Sequence, residues 1–259
     1  MGKSITFFNV SFKLANRREL LDAIHAAHSE EPVRIATLNP EIMLAAQDRA
    51  DLRQAIASMT HCSVDGSGLF MALRAWRAVT NATWPLERYT GATLVDDLFK
   101  AYQDGSKSFF LLGGGPDLPS PEVLRSRLEQ QYPGCRIAGI LDPGAIAVAD
   151  IRIAPSTAEA LRAAKPDIVL AGFGAPKQEL WIQAAQSLGI PVMIGVGGTF
   201  GFYTRKNRAP RLMQSLHLEW LYRTLTEKGH AKRAWRAVVV FSLRTSAWML
   251  LPRNRQKES

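Results

Sequence analysis

Cysteine is scarce in this chain of 259 residues: Cys62 and Cys135 lie far apart and form no C-x-x-C pair. The five histidines show no H-x-x-x-H spacing with an acid between them, so neither a disulfide scaffold nor a structural zinc site is expected. The first residues, MGKSITFFNVSFKLANRREL, hold only a short apolar stretch interrupted by Asn9 and Lys13. They lack the apolar centre of a secretory signal, which points to the cytosol. No G-x-x-x-x-G-K-[ST] string occurs, which excludes a P-loop nucleotidase. No D-x-D string occurs either: Asp96 and Asp97 are adjacent, and Asp48 and Asp51 are three apart. A metal-clamped diphosphate is therefore not indicated, and neither a metal nor a cofactor is expected. Nothing repeats at a fixed period, and no Gly/Ser or Pro linker divides the first 200 residues.

With 47% apolar and 21% charged residues, the chain has the composition of one large globular domain or a domain with an appendage. The formal charge of +9 is unevenly spread. Residues 1–203 carry 19 Lys and Arg against 20 Asp and Glu, whereas residues 204–259 carry 13 against 3. All the excess positive charge thus sits in the last 56 residues. This divides the chain into a near-neutral unit, 1–203, and a basic appendage, 204–259.

Short β-branched or aromatic runs occur at Arg34–Ala36, Cys62–Val64, Phe109–Leu112, Cys135–Ile140, Asp167–Ala171 and Pro191–Val196. Helical stretches lie between them, at Glu41–Ser58, Leu69–Val79, Thr93–Gln103, Pro121–Gln131, Thr157–Ala164 and Lys177–Leu188. Such alternation is the signature of βαβ units and predicts an α/β fold, a doubly wound, mostly parallel, Rossmann-like sheet. Ile5–Leu14 suits an additional hairpin. Small and polar residues follow the strands: Thr37-Leu38-Asn39, Asp65-Gly66-Ser67-Gly68, Gly113-Gly114-Gly115, Gly172-Phe173-Gly174-Ala175 and Gly197-Gly198-Thr199. In open parallel sheets, ligands bind outside these carboxyl ends, where loops and helix amino ends converge.

Turns at Gly114, Gly197 and Gly198 can bring backbone N–H groups towards a diphosphate, although such turns also serve tight packing. The string Gly195-Val-Gly-Gly-Thr-Phe-Gly201 approaches G-x-G-x-x-G, but Phe200 takes the place of the third glycine, which weakens a nicotinamide-dependent oxidoreductase reading. Asp65 has two readings, a turn or helix cap and a general base facing the crevice. Thr37 and Asn39, at the first strand end, join it as catalytic candidates. In Gly174-Ala-Pro-Lys-Gln-Glu179, Glu179 complements a helix amino end, whereas Lys177 is a cation where charge alone disfavours it. A bound anion would account for that cation, and Gln178 and Glu179 beside it are, with Lys177, candidate substrate contacts.

The appendage begins Arg205-Lys-Asn-Arg208-Ala-Pro210 and continues into Leu212–Leu225 with apolar residues at helical spacing. Arg223 is offset there by Glu219 one turn earlier. The stretch Ala234–Leu251 is apolar but interrupted by Arg236 and Arg244, and it falls short of the roughly 20 apolar residues that span a bilayer. Trp235 and Trp248 with flanking arginines suit a helix lying in the headgroup region of an anionic leaflet. A basic nucleic-acid-binding protein is the rival reading of this charge, opposed by the tail's Trp, Val and Leu content. On the membrane reading, a cut after Pro210 leaves a soluble α/β core with little activity, and a cut after Arg233 keeps residual catalysis while losing liposome binding.

The strings A-T-L-N-P-E-I-M (36–43), D-G-S-G (65–68), L-E-R-Y-T-G (86–91), F-L-L-G-G (110–114), G-A-P-K-Q-E (174–179), G-V-G-G-T-F (195–200), R-A-P (208–210) and L-E-W-L-Y-R (218–223) run in order along the chain. Together they resemble the WecG/TagA/CpsF family of bacterial glycosyltransferases. The resemblance implies inverting transfer of a hexose (N-acetylmannosamine, its uronate or glucose) from a UDP-sugar to a saccharide on undecaprenyl diphosphate. The enzyme would be peripheral at the cytoplasmic face of the inner membrane, with no nucleic acid as partner; homo-oligomerisation stays open. The resemblance also implies that Thr37, Asp65, Arg88 and Gln178 line the active site, Asp65 as base. Arg223 and Arg233 match basic residues of an appendage that closes over the donor diphosphate, and Arg208 lies in the same basic segment. The chain departs from the family pattern at Gly201, at Asp142-Pro-Gly144 and at Lys228-Gly-His230.

Overall fold

The computed structural model describes residues 3–113, 120–144, 146–148, 151–204 and 235–251. The chain opens with a hairpin of β1 (Lys3–Phe7) and β2 (Val10–Leu14). Its two turn residues, Phe8 and Asn9, both have positive φ (51° and 58°), the geometry whose twist matches the flanking strands. That conformation is unfavourable for a bulky residue. Burial of the Phe8 ring, edge-on to Phe241 and Trp248, offsets the cost.

There follow α1 (Arg17–Ala26), β3 (Val33–Leu38), α2 (Pro40–Gln47), α3 (Ala50–Ser58), β4 (His61–Val64), α4 (Ser67–Thr80) and α5 (Gly91–Ala101). The second half holds β5 (Ser108–Leu112), α6 (Pro121–Gln131), β6 (Arg136–Leu141), α7 (Pro155–Ala164), β7 (Ile168–Ala171), α8 (Lys177–Ala184) and β8 (Val192–Gly195). Eight strands form one sheet in the order β1-β2-β4-β3-β8-β7-β5-β6. The hairpin pair is antiparallel and the other pairs are parallel. This is the doubly wound α/β architecture that the alternation predicts.

Each face of the sheet carries its own core. Ala36, Leu38, Cys62 and Met193 point to the side covered by α2, α3, α4, α7 and α8. Ile35, Ile194, Leu170 and Leu111 point to the side covered by α1, α5 and α6. Central strands buried on both faces have no polar side to show, so they read as continuous apolar runs.

The single helix expected over Glu41–Ser58 is two helices. Asp48 closes α2, Arg49 is extended, and the Arg53 guanidinium donates to the Ala46 and Gln47 carbonyls at 2.6 and 3.0 Å. These are the last carbonyls of α2, which have no partner within the helix. The helix expected over Lys177–Leu188 likewise tightens into a 3₁₀ turn at Ala185–Leu188.

Beyond β8, a 3₁₀ turn (Gly197–Phe200) leads into the short α9 (Gly201–Thr204). Near the C-terminus, a π-helical turn at Arg236–Val240 precedes α10 (Phe241–Leu250). Phe241, Thr245 and Trp248, one face of α10, are buried. Trp248 packs on Phe7 and Trp76 with ring centroids at 5.3 and 6.0 Å, and its Nε1 donates to Asn9 Oδ1 at 3.2 Å. This corrects the expectation that Trp248 inserts into lipid headgroups: it is a core residue. Trp235 is exposed, as are Leu243, Leu250, Arg236 and Arg244 on the outer side.

Cuts after Pro210 or Arg233 would strip Phe241 and Trp248 from this aromatic cluster. Losing such a side chain costs about 3–5 kcal/mol, so the expected soluble remnant is replaced by a destabilised one. The expected helix over Leu212–Leu225 lies outside the described residues. Among the described residues, no helix is long and apolar enough to cross a membrane.

Candidate active site

The crevice lies where neighbouring strands send the chain to opposite faces. β3 and β7 lead into α2 and α8 on one side, while β8 between them leads into the turn whose Phe200 packs on the other. In open parallel sheets such a reversal at the carboxyl edge is where ligands bind, among loops and helix amino ends.

On the β4 side, the Asp65 amide donates to Leu38 O at 2.7 Å, which fixes the residue against the end of β3. The segment before α5 then runs alongside. Val64 and Arg88 form an isolated parallel bridge, and the Tyr89 amide donates to Val64 O at 3.0 Å. This brings the amino end of α5 to Asp65, whose Oδ2 accepts from the Gly91 amide at 3.1 Å. Gly91 is also where other polar groups meet. A Cβ added there would contact Thr37 Oγ1 and Val196 O at 3.4 Å and Thr199 Oγ1 at 3.5 Å. Thr37 is buried and donates to Gly195 O at 2.8 Å, tying β3 to β8 at the edge. The structure thus brings Asp65 and Thr37 together around the α5 amino end. Thr199, whose hydroxyl donates to Val196 O at 2.6 Å, belongs to the same cluster and was not among the sequence candidates. The T-F that ends G-V-G-G-T-F is the trace it leaves in the sequence.

Asn39 caps α2: its Oδ1 accepts from the Ile42 amide at 3.0 Å, and Pro40 occupies the first turn. Such caps satisfy amides that the helix leaves unpaired. Arg88, half-buried, precedes the α5 amino end, and Lys177, half-buried, opens α8. Neither forms an ion pair among the described residues.

Gln178 and Glu179 lie deeper than ligand contacts usually do: 2% and 0% of their surfaces are exposed. Gln178 Oε1 accepts from the Gly197 amide at 2.8 Å, and its Nε2 donates to Glu179 Oε1 at 2.8 Å. A Cβ at Gly195 would stand 2.9 Å from Gln178 Nε2, so β8 needs glycine there to admit the amide. Burial raises the Glu179 carboxyl to about 7. The turn these residues support has Gly197 in the left-handed region (φ 56°), with its N–H committed to Gln178. Gly198 is exposed beside it. Gly114, Arg208, Arg223 and Arg233 lie outside the described residues.

The C-terminal segment reaches the same edge. A Cβ at Gly68, in the first turn of α4, would lie 3.2 Å from Ala237 O and 3.9 Å from the Phe241 ring. The D-G-S-G turn therefore carries glycine where the segment before α10 crosses it, three residues from Asp65. No group of three or more His, Cys, Asp or Glu that could hold a metal occurs among the described residues.

An open parallel sheet with a carboxylate, hydroxyls, cations and helix amino ends on its carboxyl edge defines an α/β enzyme of Rossmann-like type. The chain belongs to the Glycosyl transferase WecG/TagA/CpsF family, whose model matches residues 5–256. Similar proteins include the N-acetylglucosaminyldiphosphoundecaprenol N-acetyl-beta-D-mannosaminyltransferases of Staphylococcus aureus strains NCTC 8325 / PS 47, COL and MRSA252. Each is 29% identical over 212 residues, covering 81% of this chain and 78% of the relative. The chain is accordingly a glycosyltransferase.

Proposed function

We propose that the enzyme moves a hexosyl residue from a UDP-sugar to a hydroxyl of a saccharide carried on undecaprenyl diphosphate, with inversion at the anomeric carbon and without a divalent metal. The observation that carries this reading is Asp65 at the carboxyl edge, held by the first amide of α5. The acceptor named for the relatives supports the lipid-linked saccharide, and their donor group favours N-acetylmannosamine among the hexoses.

In this reaction Asp65 takes the acceptor hydroxyl proton as that oxygen attacks the anomeric carbon. The bond from that carbon to the diphosphate oxygen breaks on the opposite side, and its electron pair leaves with UDP. A general base of this kind contributes about 10²- to 10⁴-fold. Negative charge grows on the leaving diphosphate, and groups already oriented towards it supply stabilisation. Lys177 and Arg88 are cations at the edge, and the basic segment with Arg208, Arg223 and Arg233 offers planar guanidinium groups suited to phosphate oxygens. A lipid-linked acceptor supports a location at the cytoplasmic membrane surface, and exposed Trp235, Leu243 and Leu250 beside Arg236 and Arg244 suit an anionic leaflet.

The test is UDP release from a panel of UDP-sugars with a polyprenyl-diphosphate saccharide as acceptor, run with and without excess EDTA. One UDP-hexose should stand out and EDTA should leave its rate unchanged. Loss of activity in EDTA that Mg²⁺ or Mn²⁺ restores would overturn the metal-free account. Binding of NAD in place of UDP would overturn the transferase substrate.

A further inference from the structure

We propose that Glu179 is a positioning residue: from beneath the crevice it holds the Gln178 amide in the orientation that accepts the Gly197 N–H, and so sets the β8 turn facing the donor. The part of this proposal that concerns the donor rests on the function proposed above.

An amide side chain has two different ends, and a buried one is fixed only if both ends meet matching partners. Gln178 Oε1 meets a donor, the Gly197 amide, at 2.8 Å, and Gln178 Nε2 meets an acceptor, Glu179 Oε1, at 2.8 Å. Reversed, the amide would set an NH₂ group against the Gly197 N–H, which can only donate, and an oxygen against Glu179 Oε1. The Gly197 N–H and the acceptor Oε1 together favour one of two orientations, and Glu179 holds the Nε2 end of it.

The consequence reaches the backbone. Gly197 begins the turn after β8 with φ at 56°, and its N–H is the group that Gln178 captures. The Gln178 amide also lies against Gly195, whose carbonyl accepts the Thr37 hydroxyl at 2.8 Å. Glu179, Gln178, the β8 turn and Thr37 are therefore joined in one run of contacts.

A second observation shows that Glu179 is not there for stability alone. It is wholly buried, and its Oε2 has no hydrogen-bond partner among the described residues. A buried polar atom without a partner is costly, and an apolar residue of similar shape would avoid that cost. Below about pH 7 burial keeps the carboxyl a neutral acid, which glutamine imitates closely.

The experiment uses the full chain with Glu179→Gln, Glu179→Met, Gln178→Met and the double Met variant. Three measurements are made: UDP affinity by calorimetry, donor KM and kcat, and hydrogen exchange of the peptide containing Gly197. Glu179→Gln keeps an acceptor for Gln178 Nε2, so it should stay within about twofold of wild type in all three. Glu179→Met should weaken UDP affinity and raise donor KM about tenfold, with a smaller change in kcat, and should speed exchange at Gly197. If Glu179 acts through Gln178, the double variant should be no worse than Gln178→Met alone.

Wild-type behaviour of folded Glu179→Met, equal damage from Glu179→Gln, or additive losses in the double variant would each overturn the proposal. Should Glu179→Met fail to fold, Gln178→Met decides from the other side: rapid Gly197 exchange supports the link and wild-type exchange refutes it. If the wild type binds no UDP, the proposed function fails on its own. Hydrogen exchange still reports on the link between Glu179 and the turn.

Discussion

Asp65 and Glu179 both stand at the carboxyl edge of the sheet, but in opposite surroundings. Asp65 is half-buried at the end of β4 and accepts from the first amide of α5. Glu179 is wholly buried in the first turn of α8 and accepts from the neighbouring Gln178 amide. A carboxylate at a helix amino end, open to the crevice, sits where negative charge is favoured and where a substrate proton can reach it. A carboxyl enclosed by apolar side chains is driven towards its neutral form and serves through hydrogen bonding. On the proposed roles, one edge separates proton acceptance at Asp65 from the shaping of the β8 turn by Glu179, and the two side chains differ in burial accordingly.

The largest effect that tests this contrast is on turnover. Asp65→Asn keeps the shape and an acceptor oxygen for Gly91 but removes the base, so kcat should fall about 10²-fold or more. UDP affinity and thermal midpoint should stay near wild type. Glu179→Gln, the same chemical change on the other side, should leave kcat within about twofold. Equal losses in the two variants would erase the distinction, and wild-type turnover of Asp65→Asn would remove the base.

Stability against pH sharpens the contrast from the other direction. In the unfolded chain the Glu179 carboxyl titrates near its ordinary value of 4.5; in the folded protein burial raises it to about 7. Below pH 4.5 it is protonated in both states and imposes no penalty. Between 4.5 and 7 the unfolded chain releases the proton while the folded one keeps it, so stability falls as pH rises. Above 7 the full cost of a buried charge is present, about 3 kcal/mol at this displacement. Cys62, a titratable group that interacts with it, is itself pushed up to about 12 by burial and stays a thiol across this range. Urea unfolding of wild type and Glu179→Gln at pH 5 and pH 7.5 measures the difference. Part of the penalty is already present at pH 5, so the wild type should lose about 2 kcal/mol more than the variant between the two; parallel curves would show that Glu179 ionises freely.

Much of this edge was legible before any coordinates. Alternating apolar runs and helical stretches give the doubly wound sheet, because strands buried on both faces cannot hide their composition. Turn residues after each run mark the ligand edge. Three features escaped for physical reasons. The break at Asp48–Arg49 depends on Arg53 reaching back to two carbonyls, a contact that no local propensity encodes. Trp248 resembles a membrane anchor by its flanking arginines, yet its place is decided by Phe7 and Trp76, residues more than 170 positions earlier. Glu179 reads as an acid that complements a helix start or meets substrate, and its burial escapes that reading, since depth within a packed interface is a tertiary property. The basic segment around Arg208, Arg223 and Arg233, suggested by charge and by the family strings, stays a matter for the kinetic tests.

Asn39 provides the smallest and most discriminating effect, because it has a structural duty at the same edge and is also a catalytic candidate. Its Oδ1 caps α2 through the Ile42 amide. Asn39→Ala should therefore cost about 1 kcal/mol of stability, the usual value for a lost cap. Serine caps nearly as well as asparagine, so Asn39→Ser should recover most of that stability while offering no amide NH₂ group to the substrate. If capping is the whole role, the serine variant regains both stability and turnover. If Asn39 also touches the sugar or diphosphate, stability returns while kcat or donor KM stays impaired. The same pair of measurements on Asn39→Asp, which caps well but adds a carboxylate at the edge, then asks whether the crevice tolerates a second exposed negative charge near Asp65. A normal cap with poor donor binding would mean that Asp65 must stand alone at the open side, with the other carboxyl, Glu179, kept below the surface.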